Sequence, residues 1–190
     1  MKKQIVRVGL DLDGVILYNP VRGARSFAKI LKNLFLKSEE TDFYIPKTKL
    51  YKALWYLLHK TSIFASLGYE DVIKLIKNRK IEAYIISGRY KFLKNDFNEW
   101  LEKLNVKKYF KDCLLNENDE QPYIFKQRML NKLKINIYIE DNWDIIKQLK
   151  KSCKNVKLFW ITNIIDKKIE YQYKFKNLRK AVQYLQKRIL

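Results

Sequence analysis

The sequence is poor in cysteine and histidine, the residues that most often bind zinc or carry nucleophilic chemistry. Its two cysteines, Cys113 and Cys153, lie far apart and form no C-x-x-C pair. This spacing excludes a zinc finger and a disulfide framework. His59 is the single histidine, so a histidine-activated nucleophile is a poor expectation, although His59 can still act as one acid or base. We expect it to be a surface residue of a helix.

Long apolar runs are also missing. A membrane-spanning helix needs about 18–20 apolar residues in a row, and the N-terminal run over 5–16 is broken by Arg7, Asp11 and Asp13. The pattern predicts neither a membrane span nor a secreted protein. We therefore expect a cytoplasmic protein with no membrane partner.

Acidic residues are scarce relative to basic ones. The 190 residues include 40 lysines and arginines against 20 aspartates and glutamates, giving a formal charge of +20, and 47% are hydrophobic. The hydrophobic fraction excludes disorder as the main state, and the length suits one domain. The charge attracts phosphates, nucleic acid or anionic membranes without choosing among them. Of the basic residues, 32 are lysines, and lysine is less suited than arginine to bidentate phosphate recognition. The charge can therefore also be composition bias.

Apolar, β-branched segments alternate with segments of helical period along the chain. Strands are predicted over 4–10, 81–86, 112–115, 135–140 and 156–161. Helices are predicted between them, including one over 122–133 and a terminal one over 173–189. This alternation is typical of βαβ units. The predicted fold class is therefore α/β, with a doubly wound, mainly parallel, Rossmann-like sheet.

Three helical segments are predicted between the first strand and the second. The first follows Asn19-Pro20, a capping residue with proline at the first helical position. The second covers 50–59, and the third begins at Gly68-Tyr69. We expect a small α-helical cap inserted after the first strand, so that the chain divides into a core of 1–17 and 78–190 and a cap of 18–77.

Polar side chains stand where three of the predicted strands end. Asp11 and Asp13 follow the first strand, Ser87 the second, and Glu140 and Asp141 the fourth. In parallel sheets these ends lie on one edge, where ligands bind. Carboxylates brought together there repel one another unless a cation intervenes, and hard oxygen ligands suit Mg²⁺. Helix and turn capping explains each aspartate alone, but not three strand ends that all carry such groups.

This ordered set resembles the four motifs of the haloacid dehalogenase (HAD) superfamily. The matching segments are Asp11-Leu12-Asp13-Gly14-Val15, Ser87-Gly88-Arg89, Lys126 at the start of a helix, and Glu140-Asp141-Asn142. The match runs in order over residues 5–160. The last strand and the lysine helix are most similar to the deoxyribonucleotidase-like branch. The Ser-Gly-Arg segment is shared with other branches, including the phosphatase domains of polynucleotide kinases.

The resemblance implies a role for each motif residue. Asp11 would attack phosphorus and form an aspartyl-phosphate, while Asp13 would protonate the leaving alkoxide and then deprotonate water. The cofactor Mg²⁺ would be held by Asp11, the main-chain carbonyl of Asp13, and Asp141, with Glu140 as the partner behind Asp141. The phosphate would be bound by Ser87, Gly88 and Lys126.

The motif lysine and the substrate contacts are less well determined by the sequence. The lysine is expected to be Lys126, 15 residues before Asp141, with Lys132 and Lys134 as alternatives. Aromatic side chains at helical spacing are more often core than ligand contacts. Candidate contacts to a base or a second phosphate are Tyr18, Arg22, Arg25, Arg89 and the aromatic stretch 51–56.

Three functions are compatible with these features. The leading expectation is a Mg²⁺-dependent phosphomonoesterase acting on a nucleotide or another small phosphate ester. The charge of +20 suggests a second, a phosphatase of polynucleotide ends, whose binding would weaken steeply with salt. The third is a basic nucleic-acid-binding module on a HAD scaffold that no longer turns over, because a fold does not fix a function. The intact motif set argues against this third function.

Overall fold

The computed structural model describes residues 5–19, 45–46, 48–163 and 165–190. Its strands in chain order are Val6–Leu10 (β1), Leu17–Tyr18 (β2), Phe64–Ala65 (β3), Ile81–Tyr90 (β4), Asp112–Asn116 (β5), Ile137–Glu140 (β6), Lys157–Ile161 (β7) and Lys174–Phe175 (β8). Six of them form one sheet in the order β5-β4-β1-β6-β7-β8, and every neighbouring pair in it is parallel. The short strands β2 and β3 pair separately and antiparallel.

Helices cover both faces of this sheet. The α-helices of the described residues are, in chain order, Lys49–Lys60 (α1), Tyr69–Lys77 (α2), Lys94–Lys103 (α3), Pro122–Lys132 (α4), Trp143–Ser152 (α5) and Leu178–Arg188 (α6), and the clusters below contain residues of α2 to α6. On one face, Val8 and Leu10 of β1 belong to an apolar cluster that includes residues of α2, α3 and α6. On the other face, Tyr138 and Trp160 belong to a cluster with residues of α4 and α5. The predicted doubly wound α/β fold is confirmed.

The chain's last helix begins later than predicted. It starts at Leu178, where the Asn177 side chain accepts a hydrogen bond from Lys180 N at 3.0 Å and caps the first turn. Of the preceding residues, predicted as helix from 173, Lys174 and Phe175 instead form the edge strand β8, paired with β7. Their aromatic side chains decide this outcome, because the Phe175 ring lies 4.9 Å from that of Phe159 on β7.

The segment between β1 and β4 contains two described helices of different character. The predicted helix after Asn19-Pro20 lies outside the described residues. Helix α1 exposes several apolar side chains, including Leu50, Leu54 and Leu57. Helix α2 packs on β4 and α6, and its Val72 belongs to the same cluster as β1. The division into core and cap stays a prediction.

A helix needs about 20 apolar residues to cross a bilayer. None of those in the described part of the chain is long and apolar enough to cross a membrane.

Candidate active site

The candidate site lies at the carboxyl edge of the sheet, where β1 sits between β4 and β6. The chain leaving β1 stays beside β6, because Asp11 N donates a hydrogen bond to Ile139 O at 3.0 Å. This register brings Asp11 next to Glu140 and Asp141. All three are buried, and one carboxylate oxygen from each lies within 4.8 Å of the others. The structure thus brings together acids that the sequence separates by about 130 positions.

Lys126 reaches these acids from α4. Its Nζ lies 3.2 Å from Asp11 Oδ1 and 2.7 Å from Glu140 Oε2. Burial by itself lowers the pKa of Lys126, but the neighbouring carboxylates outweigh it and raise that pKa above its ordinary value. The side chain is therefore a buried ammonium. Lys132 and Lys134, the alternatives considered from the sequence, are exposed.

Glu140 uses both carboxylate oxygens within the protein. Oε2 accepts from Lys126 Nζ at 2.7 Å and lies 3.2 Å from the Tyr138 hydroxyl. Oε1 accepts from the main-chain nitrogens of Asp141 at 3.1 Å and Asn142 at 2.9 Å. These contacts orient the lysine and the loop that carries Asp141. Glu140 therefore suits a supporting role better than that of a metal ligand.

Asp11 has an oxygen suited to a cation. Its Oδ1 is buried and accepts no hydrogen bond from the described residues, although the Lys126 ammonium stands 3.2 Å from it as an ion-pair partner. Burial raises the pKa of Asp11 well above its ordinary value, opposed by Lys126 and reinforced by Glu140 and Asp141. A divalent cation between Asp11 and Asp141 would offset this repulsion, and an all-oxygen donor set is the kind that Mg²⁺ prefers. These residues fit the cation that the resemblance implies.

Ser87 and Gly88 lie near the end of β4, against the start of α4. Ser87 is buried, and its Oγ accepts a hydrogen bond from Arg89 N at 3.3 Å. A Cβ atom at Gly88 would stand 3.1 Å from Pro122 Cβ and 3.3 Å from Lys126 Cε. A larger residue would need the helix start and the lysine side chain to shift by a few tenths of an ångström. Glycine thus suits the close approach of β4 to α4.

Arg89, a candidate substrate contact in the sequence, is turned into the protein. Its Nε and Nη2 donate to Asp13 Oδ2 and Oδ1, both at 2.7 Å, and its Nη1 donates to Asp96 Oδ2 at 2.5 Å. Burial raises the pKa of Asp13, but the Arg89 charge, assisted by His59, outweighs it and holds that pKa well below its ordinary value. In this structure the Arg89 guanidinium binds two of the protein's own carboxylates.

The last turn of α1 reaches the same place. His59 Nδ1 lies 3.5 Å from Asp13 Oδ1, and Lys60 Nζ lies 2.7 Å from Asp96 Oδ1. The expectation of a surface histidine is wrong, because the chain folds α1 back over the end of β1 and leaves the His59 side chain 20% exposed. Sequence reasoning also missed Asp96 and Lys60. An aspartate in a first helical turn and one lysine among many give no distinctive signal.

The remaining candidates from the sequence lie away from these contacts or cannot be described. Arg22 and Arg25 fall outside the described residues. Tyr18 is exposed and stacks on Phe64 with 5.1 Å between ring centroids. In the aromatic stretch, Tyr51 and Tyr56 are exposed on α1. Burial in the core therefore does not account for these two tyrosines.

Comparison with known proteins adds to this geometry. No family model and no curated protein matches the sequence. Among solved structures, CbbY from Rhodobacter sphaeroides in complex with phosphate has a TM-score of 0.62 at 11% identity, covering 93% of this chain and 96% of that one. A HAD-superfamily hydrolase from Ehrlichia chaffeensis has a TM-score of 0.55 at 14% identity, covering 97% and 98%. YfnB from Bacillus subtilis, solved bound to magnesium, has a TM-score of 0.61 at 13% identity, covering 97% of this chain and 100% of that one.

These similarities concern the fold. At identities of 11–14%, the chain shares its architecture with HAD-superfamily hydrolases over nearly its whole length. The fold that the resemblance implies is therefore confirmed. The deoxyribonucleotidase-like branch stays a prediction.

Proposed function

We propose that this protein is a Mg²⁺-dependent phosphomonoesterase that works through an aspartyl-phosphate. The main support is the position of Asp11. It stands at the end of β1 in a HAD-type fold, with Lys126 Nζ 3.2 Å away and Asp141 in the same cluster of buried acids. A nucleophilic carboxylate, a fixed cation and a divalent-metal site are the parts that phosphoryl transfer requires.

In the proposed reaction, a carboxylate oxygen of Asp11 attacks phosphorus and the bond from phosphorus to the alcohol oxygen breaks. Asp13 gives its proton to that oxygen. Asp13 must first take up a proton, which a nearby anionic phosphate favours because like charge raises the pKa of a carboxyl group. Water then attacks phosphorus, Asp13 accepts a proton from it, and the bond to Asp11 breaks to release inorganic phosphate.

The other motif residues would bind the phosphoryl group and the metal. The phosphoryl oxygens would accept hydrogen bonds from Ser87, Gly88 and Lys126. These donors would stabilise the negative charge on the phosphoryl oxygens in the transition state. Mg²⁺ would be held by Asp11, the main-chain carbonyl of Asp13, and Asp141. When bound, it supplies positive charge that screens the anionic nucleophile from the anionic substrate.

The proposed substrate is a nucleotide or another small phosphate ester. CbbY, which has a similar fold, was solved with phosphate and with xylulose-(1,5)bisphosphate, both small phosphate compounds. We propose a nucleotide as substrate, and the deoxyribonucleotidase-like branch, because the sequences of β6 and α4 resemble that branch. We also propose that the protein acts in the cytoplasm.

A phosphatase assay on nitrophenyl phosphate and on nucleoside monophosphates tests this function. We expect turnover with Mg²⁺, none with EDTA, and recovery when Mg²⁺ is added back. Asp11→Asn should reduce turnover to background, because an amide is not nucleophilic enough to form the acyl phosphate. The matched control is Asp112→Asn, which changes an exposed aspartate at the start of β5. Turnover by Asp11→Asn equal to that of the wild type would refute the mechanism.

A further inference from the structure

Arg89 holds the Asp13 carboxylate by two parallel hydrogen bonds. Both are 2.7 Å long, one from Nε and one from Nη2, and the arginine side chain has no exposed surface. A bidentate pair of this kind fixes both the position and the plane of a carboxylate, whereas a single contact fixes only a distance. The orientation of Asp13 is therefore set by Arg89 before any substrate is bound.

Asp96 fixes the other side of the guanidinium. Its Oδ2 accepts from Arg89 Nη1 at 2.5 Å, its side chain is 1% exposed, and its Oδ1 lies 2.7 Å from Lys60 Nζ. If Arg89 turned away, the half-buried Asp13 and the buried Asp96 would each lose a close counter-charge, which is unfavourable. The ion-pair network of Asp13, Arg89 and Asp96 is thus held at both ends.

We infer that Arg89 and Asp96 are positioning residues that hold Asp13 in the orientation needed to take a proton from water when the aspartyl-phosphate is hydrolysed. The inference rests on the proposed phosphatase function. In that step the water oxygen bonds to phosphorus, one water proton passes to Asp13, and the bond from Asp11 to phosphorus breaks, while Arg89 keeps all its protons. Asp13 Oδ2 accepts one hydrogen bond from Arg89 and keeps a second lone pair for the water, whereas Oδ1 also faces His59 Nδ1 at 3.5 Å.

An aryl phosphate separates this step from the one before it. Nitrophenolate leaves without a proton, so phosphorylation of Asp11 by nitrophenyl phosphate does not depend on Asp13 as an acid. Hydrolysis of the aspartyl-phosphate still needs Asp13 as a base. The ratio kcat/KM reports the steps up to phosphorylation, while kcat also includes the hydrolysis. Loss of the positioning should therefore lower kcat and leave kcat/KM nearly unchanged.

The experiment measures both constants for nitrophenyl phosphate with Mg²⁺ in the full chain. We expect Arg89→Met to lower kcat about 100-fold or more while kcat/KM falls less than about 3-fold, within the range for a lost general base. The phosphorylated protein should accumulate and be visible by intact-protein mass spectrometry. Arg89→Lys, which keeps the charge but not the two parallel bonds, should recover part of kcat.

Two further variants keep the test decisive. Asp96→Asn leaves Arg89 in place but weakens its anchor, so a smaller loss confined to kcat is expected; it replaces Arg89→Met if that protein does not fold. Asp13→Asn combined with Arg89→Met should be no slower in kcat than Asp13→Asn alone, because Arg89 acts through Asp13. The control is Arg179→Met, which removes an exposed arginine 3.2 Å from Asp71 and should change neither constant.

The outcomes separate this inference from the proposed function. A purely structural role would lower kcat and kcat/KM by the same factor in Arg89→Met and Asp96→Asn, and that result would overturn the inference. So would unchanged kcat, or an additive loss in the double variant. A wild-type protein that hydrolyses no phosphate ester would overturn the proposed function, and this inference with it.

Discussion

Lys126 is the positive charge that lies between two buried carboxylates, and its removal should be costly. Without it, Asp11 and Glu140 lose an ammonium at 3.2 and 2.7 Å. Breaking a buried pair on one side costs about 3–5 kcal/mol. We expect Lys126→Met to lower the free energy of unfolding by about that amount, measured by urea denaturation in EDTA, and to abolish phosphatase activity.

The control for this prediction is Lys132→Met, six residues along the same helix and exposed. An exposed lysine contributes less than about 0.5 kcal/mol, so its variant should match the wild type in stability and activity. Equal behaviour of the two variants would contradict the assignment of Lys126 to the site.

Individual motif residues could be predicted from the sequence, but the contacts of Arg89 could not. Three of these residues follow apolar runs: Asp11, Ser87 and Asp141. The carboxyl ends of parallel strands lie on one edge of a sheet, so the prediction of their placement hardly depends on the strand order. Arg89 and Asp13 are 76 residues apart. Their contact depends on the register of β4 against β1 and on a shift in the pairing of β4 with β5 after Ser87. Nothing local in the sequence encodes either feature.

At the scale of elements, helix α2 is joined to α6 by a close backbone contact at Gly68. This residue has a φ of 111°, and a Cβ there would lie 2.3 Å from Arg179 N and 2.6 Å from Arg179 Cα. We expect Gly68→Ala to cost about 2–5 kcal/mol, from the strained backbone and the displaced helix together. Thermal unfolding measures the loss.

Lys74→Ala on the exposed face of α2 is the control for Gly68→Ala, and it should change stability little. A Gly68→Ala protein as stable as the wild type would show that α2 and α6 can separate at no cost. That result would contradict the close packing of α2 against the core.

Elements whose apolar pattern extends over several residues were predicted well, while an element that forms only through tertiary contacts was not. β1 and β7 are apolar apart from Arg7 and Lys157, and helix α5 has a clear apolar face of Ile145, Ile146 and Leu149. The strand β8 has two residues and exists because it pairs with β7. Its sequence has no strand period of its own, so the helical pattern of the following segment was extended across it.

At the scale of the whole molecule, the charge is divided between surface and site. Within the described residues, the buried charged side chains are two basic and four acidic: Arg89, Lys126, Asp11, Asp96, Glu140 and Asp141. These six sum to −2, so the other residues of the chain carry more positive charge than the total of +20, while the site itself has an excess of acid. A positive exterior concentrates anions near the protein, and under the proposed function a divalent cation would offset the acidic interior where the phosphate binds.

This division predicts how activity responds to salt. A mononucleotide should lose less than about 3-fold in kcat/KM between about 50 and 200 mM salt, because few of its contacts release counterions. An oligonucleotide held by about four phosphate contacts should lose about 50-fold in affinity over the same range, so its inhibition of mononucleotide hydrolysis should fade as salt rises. Steady-state assays with both compounds at several salt concentrations measure this. The protein could instead remove the end phosphate of the oligonucleotide at least as well as it hydrolyses the mononucleotide. In that case the surface charge binds the substrate, and a polynucleotide-end phosphatase replaces the proposed phosphatase of small esters.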